Sequence, residues 1–353
     1  MKISLVDVLR CPATGAPLRV IDAEPDGCPE IVSGRLVTDT GREYAIVDGV
    51  PILLLPETFA EGQAETRASF SEKWRLAPGY REATKPHYVQ WYLDRYGFET
   101  VDGLRRFLSP KRRVLDAGTG HGRDVELFAQ HSSATVFGVD ISNGIYNAYR
   151  DLGQLPAVNL IQADLATLPF PAGFFDFISC DQVIHHTPDT RRSLARLAGH
   201  LAPGGHLGFY VYKKKAPIRE FSDDYIRSFT VGMSVDDCMK VSEAITKFGK
   251  SLSDLKVTID VPEDIPILGI KAGTHDLQRF IYWHVFKCYW NDTMDWDSNV
   301  ITNFDWYHPL HAHRHTPDEV RAWCAENRLD VVHFQEVESG ISVLCQKPAS
   351  ASA

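Results

Sequence analysis

The run Val114-Leu115-Asp116-Ala117-Gly118-Thr119-Gly120-His121-Gly122-Arg123-Asp124 constrains the fold more than any other part of the chain. A short apolar strand ends in a carboxylate, and three glycines at alternate positions lead into helix-forming sequence. Glycine there allows positive φ and lets the backbone approach a ligand where a Cβ would collide. The same strand-then-helix rhythm recurs with strands at Thr135–Val139, Asn159–Ile161, Phe175–Cys180 and Leu207–Tyr212. Thr316-Pro317-Asp318-Glu319 then starts a capped helix reaching about Asn327, and two last strands follow around 330–336 and 341–346. Such alternation specifies an α/β fold, a doubly wound and largely parallel sheet of seven strands.

Other stretches differ in character. Residues 1–57 alternate short apolar runs with turns such as Pro25-Asp26-Gly27 and Asp39-Thr40-Gly41, which predicts a small β-rich module. Residues 58–110 carry aromatics at helical spacing (Tyr88, Trp91, Tyr92, Tyr96) and read as a helical linker that covers a ligand. The sheet core spans 111–212, is interrupted by an insertion at 213–315, and is completed by 316–347; the Ala/Ser tail from 348 to 353 reads as disordered. Ten aromatics fall between Phe280 and Tyr307, so the insertion is expected to form a largely helical cap whose rings fill its core, with a few lining a closed pocket.

Ligand chemistry follows from the acids at the strand ends. A pyrophosphate at a helix N-terminus wants N–H donors, whereas Asp116 before the glycine turn suits a cationic amino group. Asp140, after the second strand, stands where an acid would hold two ribose hydroxyls. Asp164 ends the third strand, near where an adenine amino group would lie, and Asp181-Gln182 end the fourth at the floor of the same cleft.

These residues in this order, with Asp181-Gln182-Val183-Ile184-His185-His186-Thr187-Pro188-Asp189 and Leu201-Ala202-Pro203-Gly204-Gly205-His206-Leu207, resemble class I S-adenosylmethionine-dependent methyltransferases of the small-molecule type. The resemblance implies a Rossmann-like sheet and S-adenosyl-L-methionine as cofactor. It implies that Asp116, Gly118, Thr119 and Gly120 face the methionine moiety, Asp140 and Ile141 the ribose, Asp164 and Leu165 the adenine, and Asp181 and Gln182 the sulfonium. The opening Leu9–Leu18 and Tyr44–Pro51 segments are similar to the zinc-ribbon activator subunit of tRNA and translation-factor methyltransferases. Position 14 is Thr, so Cys11 has no CxxC partner and Cys28 stands alone; the module reads as a metal-free descendant, and no metal is expected.

Methyl transfer needs alignment, exclusion of water and sometimes a base. His185 and His186 follow the fourth strand, where the methyl group should emerge, and Tyr307 and His308 come from the insertion; these four are the catalytic candidates. Lys213 and Arg219, just past the fifth strand, would suit a carboxylate or phosphate on the acceptor, although a solvated run of charge is the commoner explanation for three consecutive lysines. His315 and Trp74 complete the expected substrate contacts, and Phe70 and Trp74 could fold back over the cofactor. Histidines at 308, 311, 313 and 315 stand at extended-chain intervals with no cysteine pattern, so a polar loop is favoured over a metal centre.

Composition then limits the partners. A net charge of -9 argues against generic binding to nucleic-acid phosphate, and no apolar run approaches the ~20 residues that span a bilayer. The first ten residues, broken by Asp7 and Arg10, do not read as a secretory signal, and seven scattered cysteines suit reduced thiols in a cytoplasm. The leading expectation is methyl transfer to a small molecule. A methyltransferase of RNA or a translation protein ranks second, and a non-catalytic S-adenosylmethionine-binding protein third. Oligomeric state is not legible.

Overall fold

Four strands begin the chain: β1 (Arg19–Glu24), β2 (Ser33–Val37), β3 (Glu43–Val47) and β4 (Val50–Leu53). This computed structural model describes residues 1–24, 29–76 and 79–349. The Pro25-Asp26-Gly27 turn, Cys28 and positions 350–353 of the tail lie outside the described residues. Three helices follow, α1 (Gln63–Leu76), α2 (Tyr80–Arg95) and α3 (Val101–Leu108), the last capped by the Thr100 side chain accepting from the Gly103 N–H.

The alternating core comprises β5 (Arg113–Ala117), α4 (Arg123–His131), β6 (Thr135–Asp140), α5 (Gly144–Leu152), β7 (Val158–Ala163), β8 (Phe175–Cys180), α6 (Thr190–His200) and β9 (Leu201–Lys213). The β5, β6, β7 and β8 strands run parallel, and their residues face two hydrophobic layers in turn. Leu115, Phe137 and Ile161 enter one layer; Val114, Val136 and Leu160 enter the other. Burial on both faces explains why these strands read as continuous apolar runs. β9 starts earlier than the sequence suggests. Phe175 pairs with Leu201 and Phe177 with His206, so Ala202–Gly205 bulge out of the ladder, with Gly204 at a φ of 76°.

The insertion holds α7 (Pro217–Thr230), α8 (Val235–Asp254), the hairpin of β10 (Thr258–Val261) and β11 (Gly273–Asp276), α9 (Leu277–His284) and α10 (Trp296–Tyr307). Cys238, Phe304, Trp306 and Tyr307 form its own core. It returns through β12 (Arg314–His315), which pairs in parallel with the end of β9. α11 (Pro317–Glu326) has a full capping box, Thr316 and Glu319 each bonding the other's backbone N–H. A hairpin of β13 (Asp330–Glu336) and β14 (Gly340–Gln346) closes the sheet edge, β14 running antiparallel to β9.

Strand order is β1-β2-β3-β4-β7-β6-β5-β8-β9-β14-β13. The first 57 residues therefore do not stand apart as a separate unit. β4 pairs in parallel with β7, Ile52 opposite Gln162 and Leu53 opposite Ala163, and extends the main sheet. Leu9, Leu36, Tyr44 and Leu53 share one hydrophobic layer with Leu115 and Phe137. Without that docking, β7 would present an unpaired apolar edge. Among the described residues no helix is long and apolar enough to cross a membrane.

Candidate active site

All the strand-end acids open on the C-terminal edge of the parallel strands, where α/β sheets hold ligands. A cleft there spans about 1160 Å³, the solvent at its mouth included, and is lined by Asp116, Gly118, Thr119, Asp140, Ile141, Asp164, Leu165, Asp181 and Gln182. The turn after β5 has the geometry its glycines imply. Gly118 and Gly120 sit at φ of 90° and 53°, and a Cβ on them would strike Val183 at 2.4 Å and Trp74 at 2.7 Å.

Each acid has a different set of partners. Asp140 accepts from the Gly120 N–H at 2.7 Å and from the Ser142 N–H and hydroxyl at 2.7 and 2.5 Å, tying the glycine turn to the end of β6. Asp164 accepts from Gln63 Nε2 at 2.6 Å and from the Ala166 N–H at 2.9 Å. Asp116 is different: it is buried, and its Oδ2 has no partner among the described residues. Burial, with Asp124 adding repulsion, raises its carboxyl well above the usual range. Thr119 Oγ1 beside it is also buried and unpartnered.

Asp181 lines the cleft, but its carboxylate is spent on α2. Arg95 donates to it at 2.8 and 3.0 Å, Tyr88 at 2.5 Å, Tyr96 at 2.9 Å and Gln182 at 3.0 Å. Burial alone would raise its carboxyl; Arg95, the Tyr88 hydroxyl and Arg123 outweigh that and lower it. Asp181, expected to line the cleft, does so, and its carboxylate also anchors the helical cover through Arg95, Tyr88 and Tyr96. Gln182 adopts a φ of 61°, a strained left-handed conformation that turns the chain at the cleft floor.

One face of α1 closes the cleft. Gln63, Thr66, Arg67, Phe70, Lys73 and Trp74 recur at helical spacing and all line it. Arg67 Nε bonds the Ile141 carbonyl at 3.0 Å, and the Trp74 ring lies 4.4 Å from that of His121. Trp74, expected as a substrate contact or folded back over the cofactor, lines this cleft. Lys73, Tyr80, His121, Arg123 and Asp305 line the same cleft and were missed by sequence reasoning. The stripe at 63, 66, 67, 70, 73 and 74 was a readable signal for Lys73; nothing local marks Asp305.

A second cavity of about 1510 Å³ adjoins the first beneath the insertion. Tyr80, Arg123, Gln182, Tyr212 and Asp305 line both. Asp305 meets Lys73 at 2.8 Å at this junction, and its Oδ1 is buried without a partner among the described residues. Burial opposes its ionisation, but Lys73 holds the carboxyl below its ordinary range.

The four catalytic candidates separate. His186 lines the cleft; its Nδ1 bonds the His311 carbonyl at 2.7 Å, which fixes the proton there and leaves Nε2 as the acceptor. Burial lowers its pKa to about 4. His185 is fully buried against the Tyr212 ring at 3.8 Å and lines neither cavity. Tyr307 is also fully buried and donates to the Lys287 carbonyl at 2.7 Å, inside the insertion's own core. His308 bonds Ser69 Oγ at 2.7 Å and the Met233 carbonyl. Tyr307 and His308 are displaced from the site because the cleft-facing side of α10 is the one carrying Asp305.

The substrate candidates separate too. Arg219 lines the second cavity, whereas Lys213 pairs outward with Glu336 at 2.8 Å. His315 bonds Thr190 Oγ1 at 3.1 Å, away from both cavities. The histidine cluster is dispersed: His308, His311 and His315 each bond a different segment, Ser69, the Glu61 carbonyl and Thr190. Among the described residues no group of three or more His, Cys, Asp or Glu could hold a metal. The buried Cys11 thiol lies 3.0 Å from the Tyr44 hydroxyl.

This donor set fits S-adenosylmethionine. An ammonium would complete the orphaned Asp116 and Thr119 oxygens, and Asp140 and Asp164 retain free lone pairs for hydroxyl and amino donors.

Residues 115–209 match the family model described as a methyltransferase domain. An uncharacterised Synechococcus protein is 38% identical over 121 residues, 31% of this chain and 28% of that protein. The ubiquinone biosynthesis O-methyltransferase of Coxiella burnetii is 33% identical over 100 residues, 28% of this chain and 42% of that enzyme. The chain thus spans less than half the length of these curated relatives. An S-adenosylmethionine-dependent methyltransferase from Mesorhizobium loti is similar at 15% identity and a TM-score of 0.41, over 70% of this chain and 100% of that one. Over residues 115–209 the chain is thus similar to methyltransferase domains.

Proposed function

We propose that the chain transfers a methyl group from S-adenosylmethionine to a small-molecule acceptor seated in the second cavity. The observation carrying this reading is the junction: the cofactor cleft and the cavity under the insertion share Gln182, Tyr212 and Asp305 as a common wall. When bound, the cofactor supplies a methyl group already activated on a sulfonium.

The chain's own residues supply the rest. Asp116 takes the ammonium, Asp140 the ribose hydroxyls and Asp164 the adenine edge. Phe70 and Trp74 on α1 exclude water, which strengthens electrostatic contacts inside. His186, in the cofactor cleft beside Tyr212, offers a neutral imidazole whose Nε2 takes a proton, where one must leave, from an acceptor group that projects past that shared wall. Docked on β7, the N-terminal module serves on this reading as a metal-free remnant of an activator, fused to the sheet it supports.

The test has two parts. Calorimetry with S-adenosylhomocysteine should show one site per chain and no binding of nicotinamide dinucleotides. Labelled methyl donor with fractionated metabolites should then mark a small molecule; label appearing only in RNA or protein would refute the acceptor class.

A further inference from the structure

The second cavity has a lopsided charge. Arg95, Arg123, Lys215, Arg219, Arg279 and Lys287 line it against a single carboxylate, Asp305. Several of these charges are already matched: Arg95 by Asp181 at 2.8 Å, Arg219 by Asp223 at 2.5 Å, and Asp305 by Lys73 at 2.8 Å. Two ammonium groups are not. Lys287 is 6% exposed, and its Nζ has no hydrogen bond or carboxylate within reach among the described residues, only the Trp306 ring at 4.9 Å. Lys215 Nζ reaches the backbone carbonyls of Glu338 and Ser339, at 2.5 and 2.8 Å, and no carboxylate among the described residues.

Holding two buried ammonium groups beside Arg219 without a carboxylate in contact is costly, even with Asp305 and Asp223 acting on Lys287 and Glu220 on Lys215 from farther off, and the cost shows in their titration. Burial, reinforced by Arg219, lowers Lys287 to about 7 and Lys215 well below its ordinary value. Proteins retain such arrangements where an incoming anion completes them. The remaining wall is aromatic: Trp91, Tyr210, Tyr212, Tyr282, Trp283 and Trp306 give flat apolar surfaces. None of Lys215, Arg219 and Lys287 lines the cofactor cleft, so the cofactor's own carboxylate is not their partner.

We propose that the second cavity binds an aromatic acceptor bearing a carboxylate or phosphate, the oxyanion held by Lys215, Arg219 and Lys287 and the ring body by the aromatic wall. This rests on the methyltransferase reading above and names the chemistry of its acceptor.

The experiment is calorimetry on the full chain saturated with S-adenosylhomocysteine, titrated with 1-naphthoate, 1-naphthyl phosphate and the neutral 1-naphthamide. At least one anion should bind at least about tenfold more tightly than the amide, and the tighter of the two identifies the oxyanion. Lys287→Met should abolish that preference while leaving S-adenosylhomocysteine affinity unchanged. Lys215→Met, at a less buried position, should reduce the preference and carries the test if Lys287→Met does not fold. Equal binding of amide and anions, no binding of any probe, or an unaltered preference in the folded variants would overturn the proposal. Failure of S-adenosylhomocysteine itself to bind would instead overturn the methyltransferase reading, and the probes titrated on the chain alone would still decide the anion preference.

Discussion

Lys73 on α1 and Asp305 on α10 meet at 2.8 Å across the junction of the two cavities, joining helices 232 residues apart in sequence. The pair ties α1 to the insertion. Lys73→Met should therefore destabilise the fold by roughly 1–3 kcal/mol, less than a fully buried pair because Asp305 is partly exposed. Urea denaturation of both single variants and of the double with Asp305→Asn gives the coupling. Additive effects would mean that the contact ties nothing together.

Asp116 trades stability for binding. Its raised carboxyl penalises the folded state above the unfolded-state value of about 4, a penalty that disappears below it. Asp116→Asn should raise the melting temperature of the ligand-free chain by about 1–3 °C at pH 7, with the gain lost near pH 4. The same variant should weaken S-adenosylhomocysteine binding by at least about tenfold, the size expected for one charged contact. Loss of both stability and affinity would assign Asp116 to the scaffold.

Asp140 has the opposite profile. It holds the Gly120 and Ser142 N–H groups, so Asp140→Ala should cost about 1–3 kcal/mol of stability as well as affinity. Unchanged nucleoside affinity in calorimetry would remove the ribose assignment.

His186→Ala should lower turnover while leaving donor affinity within about twofold, because the residue lines the cleft and its Nε2 has no hydrogen-bond partner among the described residues. Tyr307→Phe should do the reverse, keeping turnover and losing about 1 kcal/mol of stability with its buried bond to the Lys287 carbonyl. An inverted pattern would reassign both residues.

Affinity for an anionic aromatic probe should depend on pH through Lys287, whose charge is lost near pH 7 in the empty cavity. Asp305 and Asp223 favour its charged form, while Arg219, Lys73 and Lys215 disfavour it. An oxyanion requires the charged form, so binding should be tightest below pH 7 and fall as pH rises through 7 to 9, by up to about tenfold per unit. A flat titration between pH 6 and 9 would separate Lys287 from the anion.

Much of the fold was legible because its signals are local. Strand period, glycine spacing and a carboxylate at each strand end are set over a few residues, and they were enough to bring Asp116, Asp140 and Asp164 to one cleft. The face of α1 at 63, 66, 67, 70, 73 and 74 was equally local, though only Phe70 and Trp74 were read from it. What the sequence could not determine is the choice between near neighbours. His185 and His186 share one turn, Asp305 and Tyr307 one helix, Lys213 and Lys215 one run, and in each pair one member reaches a cavity while the other is held elsewhere. Two residues along a helix differ by about 200° in direction, and which direction meets the ligand depends on what packs behind. For Lys213 that partner is Glu336 on β13; for α10 it is Lys73 on α1; for β4 it is β7, more than a hundred residues away. Contacts at that separation are decided by how the layers pack, and only the tertiary structure holds that information.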